Sequence, residues 1–348
     1  MRKVLVGAAV LLLVAAVAAG LLWWRAQPSG ELERATALAP ADAERLTWTD
    51  WRGVRAELDA DLDETSSPGE LTALLDAGYE ADLTSTSALL GSAEAMQAEY
   101  GVSPATLDWE LFSQSAAGAV VLMRLADGTD LDALRDTLEG LGYQRPEDDD
   151  GVWVGGADLL AATAPGLTPQ LQHLAVVDDE RLLVASDATD YLAEVVDDLG
   201  AGAPDALTPV VEAAGEAPLT AVVYDSAYVC GQLAMGQADQ ADQRQAEQLL
   251  AEAGEVNPLT GFLMAELPGG DLRVAMSFES EDQARANADS RGALLRGPAP
   301  GQGGSFADRF TVEEVVADGT VVRADLTPVE GEYVLSDLSS GPVLFASC

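Results

Sequence analysis

The chain has 348 residues, of which 59 are acidic and 18 basic, and its formal net charge is −41. At 48% hydrophobic it is no disordered acidic tail, and at roughly 100–200 residues per domain it predicts about two compact units. That charge argues against a nucleic-acid surface or a flat dock on anionic lipid, and one His with two Cys leaves little for imidazole or thiolate metal chemistry.

Residues 4–24 carry no charge and are bracketed by Arg2, Lys3 and Arg25. At 1.5 Å per residue this stretch spans about 30 Å, and Trp23 and Trp24 sit where amphipathic rings favour the headgroups. The pattern predicts an uncleaved single-pass anchor (residues 1–25) over a signal peptide cut near Ala16-Val17-Ala18. The positive-inside bias then puts the bulk of the chain outside the cell membrane. Residues 26–45 read as a stalk.

Residues 46–108 read as mainly helical. Trp48, Trp51, Val54 and Leu58 fall at i, i+3, i+6 and i+10, and Pro68 suits a helix start. From residue 109 strands and helices alternate. The first unit, 109–200, has strands at 109–112 and 119–125, a helix through Leu141, hairpins at 144–154 and 171–186, and an acidic closing helix. The second, 205–330, has a strand at 219–224, one long helix over 226–253 and a hairpin at 259–278. A helix from Ser280 and a hairpin across Asp318-Gly319 complete it. Strand–helix–strand–strand–helix–strand is the split-βαβ order. The expected fold is therefore α+β: two tandem ferredoxin-like modules, each with its own antiparallel sheet, and a C-terminal tail over 331–348.

Among candidate sites, Asp59, Asp61, Asp63, Ser67 and Glu70 occupy positions 1, 3, 5, 9 and 12 of a calcium loop. Glu64 stands where that loop needs Gly, and a solvated acidic helix end explains the same residues. Asp148 to Asp150 and Asp178 to Glu180 read as hairpin turns. His173 lies in a predicted strand with no nucleophile motif beside it, and reads as structural. Gly303-Gly304-Ser305-Phe306-Ala307 imitates a nucleophile elbow but has no His after Ser305. Trp48, Trp51, Trp109 and Trp153 read as core before sugar platforms. Cys230 and Cys348, the only cysteines, are expected to pair with each other in an oxidising compartment.

One Lys against seventeen Arg, the Trp48-Thr49-Asp50-Trp51 segment, the Gly/Pro-rich loop at 297–304 and the terminal Cys together resemble membrane-anchored or secreted proteins of GC-rich actinobacteria. That resemblance implies a location and no catalytic residue. The expected function is a non-enzymatic, membrane-tethered binding protein of the cell envelope, whose partner is an envelope protein or cell-wall component. A carboxylate hydrolase and a calcium-dependent adhesion or sensing module are the alternatives.

Overall fold

The segment Arg45-Leu46-Thr47-Trp48-Thr49 alternates large apolar with polar residues and forms strand β1, Arg45–Thr49. The computed structural model describes residues 30–148, 151–215 and 217–348. In it β1 pairs antiparallel on one side with β2, Leu107–Gln114, and on the other with β7, Thr220–Asp225. Beyond β2 lie β3 (Ala119–Leu125), β6 (Leu182–Ser186), β5 (His173–Val177) and the two-residue β4 (Trp153–Val154). Beyond β7 lie β8 (Gly261–Glu266), β9 (Leu272–Ser277), β11 (Val321–Pro328) and β10 (Phe310–Asp318). The result is one eleven-stranded sheet.

This corrects the expectation of two ferredoxin-like modules with separate sheets. The strand order does repeat: β1-β2-β3-β6-β5 and β7-β8-β9-β11-β10 both run first, second, third, fifth, fourth. All ten strand pairings are antiparallel, so the parallel crossover of a split βαβ unit is missing. What fuses the halves is β1. Trp48 belongs to this strand, and only from Trp51 does the chain turn helical, because Asp50 caps helix Trp51–Glu57 by accepting from Gly53 N at 2.9 Å.

A second correction concerns the single-pass membrane location. Among the described residues no helix is long and apolar enough to cross a membrane, and residues 4–24, on which that expectation rested, lie outside them.

The two faces of the sheet are covered differently. On one face Leu46 and Trp48 of β1 join Leu111, Val120, Ala221, Val223, Leu263 and Ala275 in a core that runs unbroken across both halves. Helices Glu31–Thr36, Thr189–Asp197 and Thr208–Ala214 cover it. On the other face each half has its own core, one around Trp51, Val121 and Leu138, the other around Val222, Phe262 and Phe345. Between them β1 presents Arg45, Thr47 and Thr49, which no apolar core absorbs. The split follows from the alternation of one strand.

The expected long helix over 226–253 is broken. The chain winds as a wide turn over Val229–Leu233, extends at Ala234, and restarts at helix Gln240–Ala253 under an Asp239 cap. Cys230 sits in the wide turn and is bonded to Cys348 at 1.92 Å, as the cysteine count led us to expect. The bridge ties down a C-terminal strap that crosses the second half. Val334, Leu335, Leu338, Val343, Leu344 and Phe345 of the strap are buried to 2% exposure or less. Fully buried Arg291 donates to Phe345 O at 2.7 Å and Asn257 O at 2.6 Å, and the Tyr224 hydroxyl donates to Ser339 O at 2.6 Å. The Gly/Pro-rich loop at 297–304 packs under the same strap, with Gln302 Nε2 donating to Pro342 O at 3.2 Å.

Two outcomes follow. Trp48, 1% exposed with its indole N–H on Pro218 O at 3.0 Å, serves the core that runs across both halves. Trp48→Ala should cost about 3–5 kcal/mol in urea unfolding, with both halves still melting together. The disulfide closes a sequence separation of 118 residues. Cys348→Ser should lower stability by about 2–5 kcal/mol and raise protease cleavage after residue 329 before any cleavage in β1.

Candidate functional site

The polar residues between the two split cores form the candidate site. Register across the sheet places Glu110 of β2, Thr49 of β1, Thr220 of β7 and Glu266 of β8 in one row on the split face. All four are buried, at 0–4% exposure. Three strand spacings of about 4.8 Å set the two glutamates' α-carbons roughly 14 Å apart. A hydrolytic carboxylate pair works at about 5–10 Å. These two do not share a cleavage point.

Glu110 and the nearby Asp82 have structural tasks. Glu110 accepts from Trp51 Nε1, Ser87 Oγ and Ala88 N, all at 2.9 Å, and so fastens the loop at 84–90 over the sheet. Thr86 Oγ1 meets Thr220 Oγ1 at 3.0 Å beside it. Asp82 accepts from Leu335 N at 2.8 Å and Ser336 N at 3.2 Å, which links the first half to the strap. Glu266 lies near Asp82, Asp271 and Glu57 and is the most crowded by like charge. Burial is the leading cause in every case: it pushes Asp82 up to about 6, Glu110 to about 7 and Glu266 to about 9, the last with help from its acidic neighbours.

One row further along, the covering thins. Phe112 of β2 lies opposite Thr47 of β1, which lies opposite Val222 of β7; the next row is Gln114, Arg45 and Tyr224. Phe112 and Arg45 are only half-buried and Gln114 is exposed, although Val121 and Val222 in neighbouring strands are fully buried. Phe112, Gln114 and Arg45 thus form a partly exposed patch at mid-sheet, over buried Thr47. Tyr228 stands beside it with its ring centroid 5.9 Å from the Arg45 guanidinium carbon. Thr47 Oγ1 and Arg45 Nε are buried atoms without a hydrogen-bond partner. An unmet buried donor or acceptor costs about 1–3 kcal/mol, and Thr49 Oγ1 on the same strand is a third such atom, so the polar face of β1 is a costly seam.

The sequence-based candidates lie elsewhere. Asp59, Asp61, Asp63, Ser67 and Glu70 are all exposed. Ser67 and Glu70 form a reciprocal capping box at the start of helix Pro68–Glu80, while Asp63 takes the Thr65 N–H at 2.7 Å. Among the described residues no group of three or more His, Cys, Asp or Glu is arranged to hold a metal ion. His173 is 8% exposed and pairs in register with Ser186, whose hydroxyl donates to Ala119 O at 2.8 Å rather than to the imidazole. The four tryptophans are at most 4% exposed, with the Trp48 and Trp109 rings tilted against each other at 5.4 Å between centroids. Asp178 pairs with Arg135, and Asp149 and Asp150 lie outside the described residues. Sequence reasoning missed Arg45, Thr47 and Phe112. The signal available was the alternation in 45–49.

No family model and no curated protein matches the chain. Among solved structures, crystal form I of TP0453 matches over 91% of this chain and 99% of that one, at 9% identity and a TM-score of 0.38. Crystal form III of the same protein matches over 88% and 98%, at 7% identity and 0.39. Likeness of this size transfers neither residues nor activity.

The buried acids set a pH dependence. Their folded-state pKa values exceed the unfolded ones, so the native state keeps protons the unfolded chain has released. That stability is complete below about pH 4 and is lost as pH rises through 6, 7 and 9. Glu110 alone is worth roughly 3 kcal/mol over its range, at about 1.4 kcal/mol per pKa unit. Melting temperature should fall from pH 5 to pH 9, and Glu266→Gln should flatten the alkaline part of the curve. A flat or rising wild-type curve would refute the assignment.

Proposed function

We propose that the chain is a non-catalytic binding protein that works where disulfides persist and takes its ligand on the mid-sheet patch. The observation that carries this reading is half-buried Phe112 beside half-buried Arg45 and exposed Gln114, in the interior of a sheet where Val121 and Val222 alongside are fully buried. Binding sites combine apolar surface with a few polar groups, and this patch sets Phe112 and Tyr228 beside Arg45 and Gln114. The disulfide supports the compartment, since such bonds persist outside reducing cytosol.

The carboxylates favour binding over hydrolysis. Glu110 and Asp82 spend their oxygens on Trp51, Ser87, Ala88 and the strap. Methyl NMR of the whole chain with a mixed fragment set tests the reading. Binders should shift the Thr47 and Val222 methyl signals together. Fragments that shift only signals remote from β1, or none that shift any, would overturn it.

A further inference from the structure

We infer that the carboxylates of Glu57, Asp82, Glu266 and Asp271 form a seat for the guanidinium of an arginine presented by a basic polypeptide partner. The seat is separate from the mid-sheet patch. It lies at the turn Pro268-Gly269-Gly270 between β8 and β9. Glu57 accepts from Gly269 N at 3.0 Å, and a β-carbon at Gly270 would stand 4.0 Å from Glu266 Oε1. Asp271 follows the turn and accepts from the Thr327 hydroxyl at 3.0 Å, while Asp82 approaches from the first half.

Glu266 is the centre of this group. It is 4% exposed and its carboxyl oxygens have no hydrogen-bond partner, yet both keep some contact with solvent. Glu57 and Asp271 beside it are exposed, which puts the seat at the surface. Arginines elsewhere find carboxylates readily: Arg273 meets Asp325 at 2.7 Å and Arg309 meets Asp337 at 2.6 Å. Among the described residues no arginine comes within 4 Å of any of these four acids. Burial and the acidic neighbours push Glu266 up to about 9, so at neutral pH it holds a proton in place of a counter-charge.

The surroundings select the cation. These acids crowd one another electrostatically, but among the described residues no three are arranged to hold a metal ion. A planar guanidinium with five N–H donors spans acceptors that one metal ion does not reach. The adjoining surface suits a polypeptide. Tyr79 is 55% exposed with its ring centroid 5.8 Å from that of Tyr333, and Val329 is 41% exposed. Asp82 joins these to the seat: its N–H donates to Tyr79 O at 3.1 Å, and its carboxylate accepts from Leu335 N, two residues past Tyr333. Tyrosine faces attract a guanidinium and also receive the apolar side chains that flank it in a partner chain. A net charge of −41 draws a basic partner and repels a second copy.

The test is calorimetric titration of the full, oxidised chain with acetyl-Ala-Arg-Phe-Ala-amide, its citrulline counterpart and N-acetylarginine amide. At pH 8 the arginine peptide should bind at least tenfold tighter than the citrulline peptide and release close to one proton. Its Kd should fall about tenfold from pH 7 to pH 8, as Glu266 gives up its proton to the incoming charge. Glu266→Gln, which copies the protonated acid, should raise the Kd at least tenfold at pH 8 and abolish both the proton release and the pH dependence. Tyr79→Ala should raise the Kd about threefold with proton release intact, and Glu247→Gln, on the exposed side of helix Gln240–Ala253, should change nothing. Arginine and citrulline peptides within twofold of each other, or no proton release in the wild type, overturns the inference. Equal losses in Glu266→Gln and Glu247→Gln overturn it in favour of the diffuse field alone. N-acetylarginine amide binding as tightly as the peptide overturns the polypeptide assignment, and calcium chloride that displaces the peptide with the same proton release overturns the guanidinium.

Discussion

Everything in this molecule depends on five residues satisfying two neighbours at once. Strand β1 spends its backbone donors and acceptors on β2 to one side and β7 to the other, over the full length Arg45–Thr49. Buried backbone groups must be paired, so neither neighbour is able to leave without orphaning a row of them. The halves with repeated strand order therefore behave as one sheet. Leu46 and Trp48 tie the same strand into the continuous core on one face, while Thr47 and Thr49 interrupt the core on the other. A single alternation produces both the unity of the fold and its polar seam.

Much of the outer sheet was legible. The hairpin over 259–278 appears as β8 and β9, the last hairpin as β10 and β11, and Ser280 caps helix Glu281–Leu294. These segments have clean alternation and strong turn residues. The centre was not legible, because Trp48, Trp51, Val54 and Leu58 satisfy helical spacing although the first of them lies in a strand. A strand of five residues offers too few positions to outvote a helix that begins two residues later. The break at 229–238 escaped notice because Ala and Gln favour helix; Gly231 and Gly236 weaken it, and tertiary pairing of Cys230 decides it.

The site was hidden for a different reason. Threonine is an ordinary strand residue and phenylalanine an ordinary core residue, so nothing local separates Thr47 or Phe112 from dozens of others. Only the packing of two separate cores leaves Phe112 half-buried and the Thr47 hydroxyl without a partner. In the same way Asp82, Glu110 and Glu266 vanish among 59 acids in the sequence. Their burial distinguishes them, and burial is a property of the assembled sheet. At Asp59 to Glu70 the calcium-like spacing coincides with a helix start, where Ser67 and Glu70 form the capping box.

The repeated strand order has a further consequence for how copies of the chain meet. Each half ends, at the middle of the sheet, in the edge that the other half requires. In one chain those edges close on each other through β1 and β7. Nothing in their pairing depends on belonging to the same polypeptide. A chain shortened before β7 would therefore carry an open β1 edge matched to the β7 edge of an intact neighbour, and unpaired edges of this kind recruit strands. The link between the halves thus acts as a leash: by keeping the correct edge at high local concentration, it disfavours exchange of halves between copies.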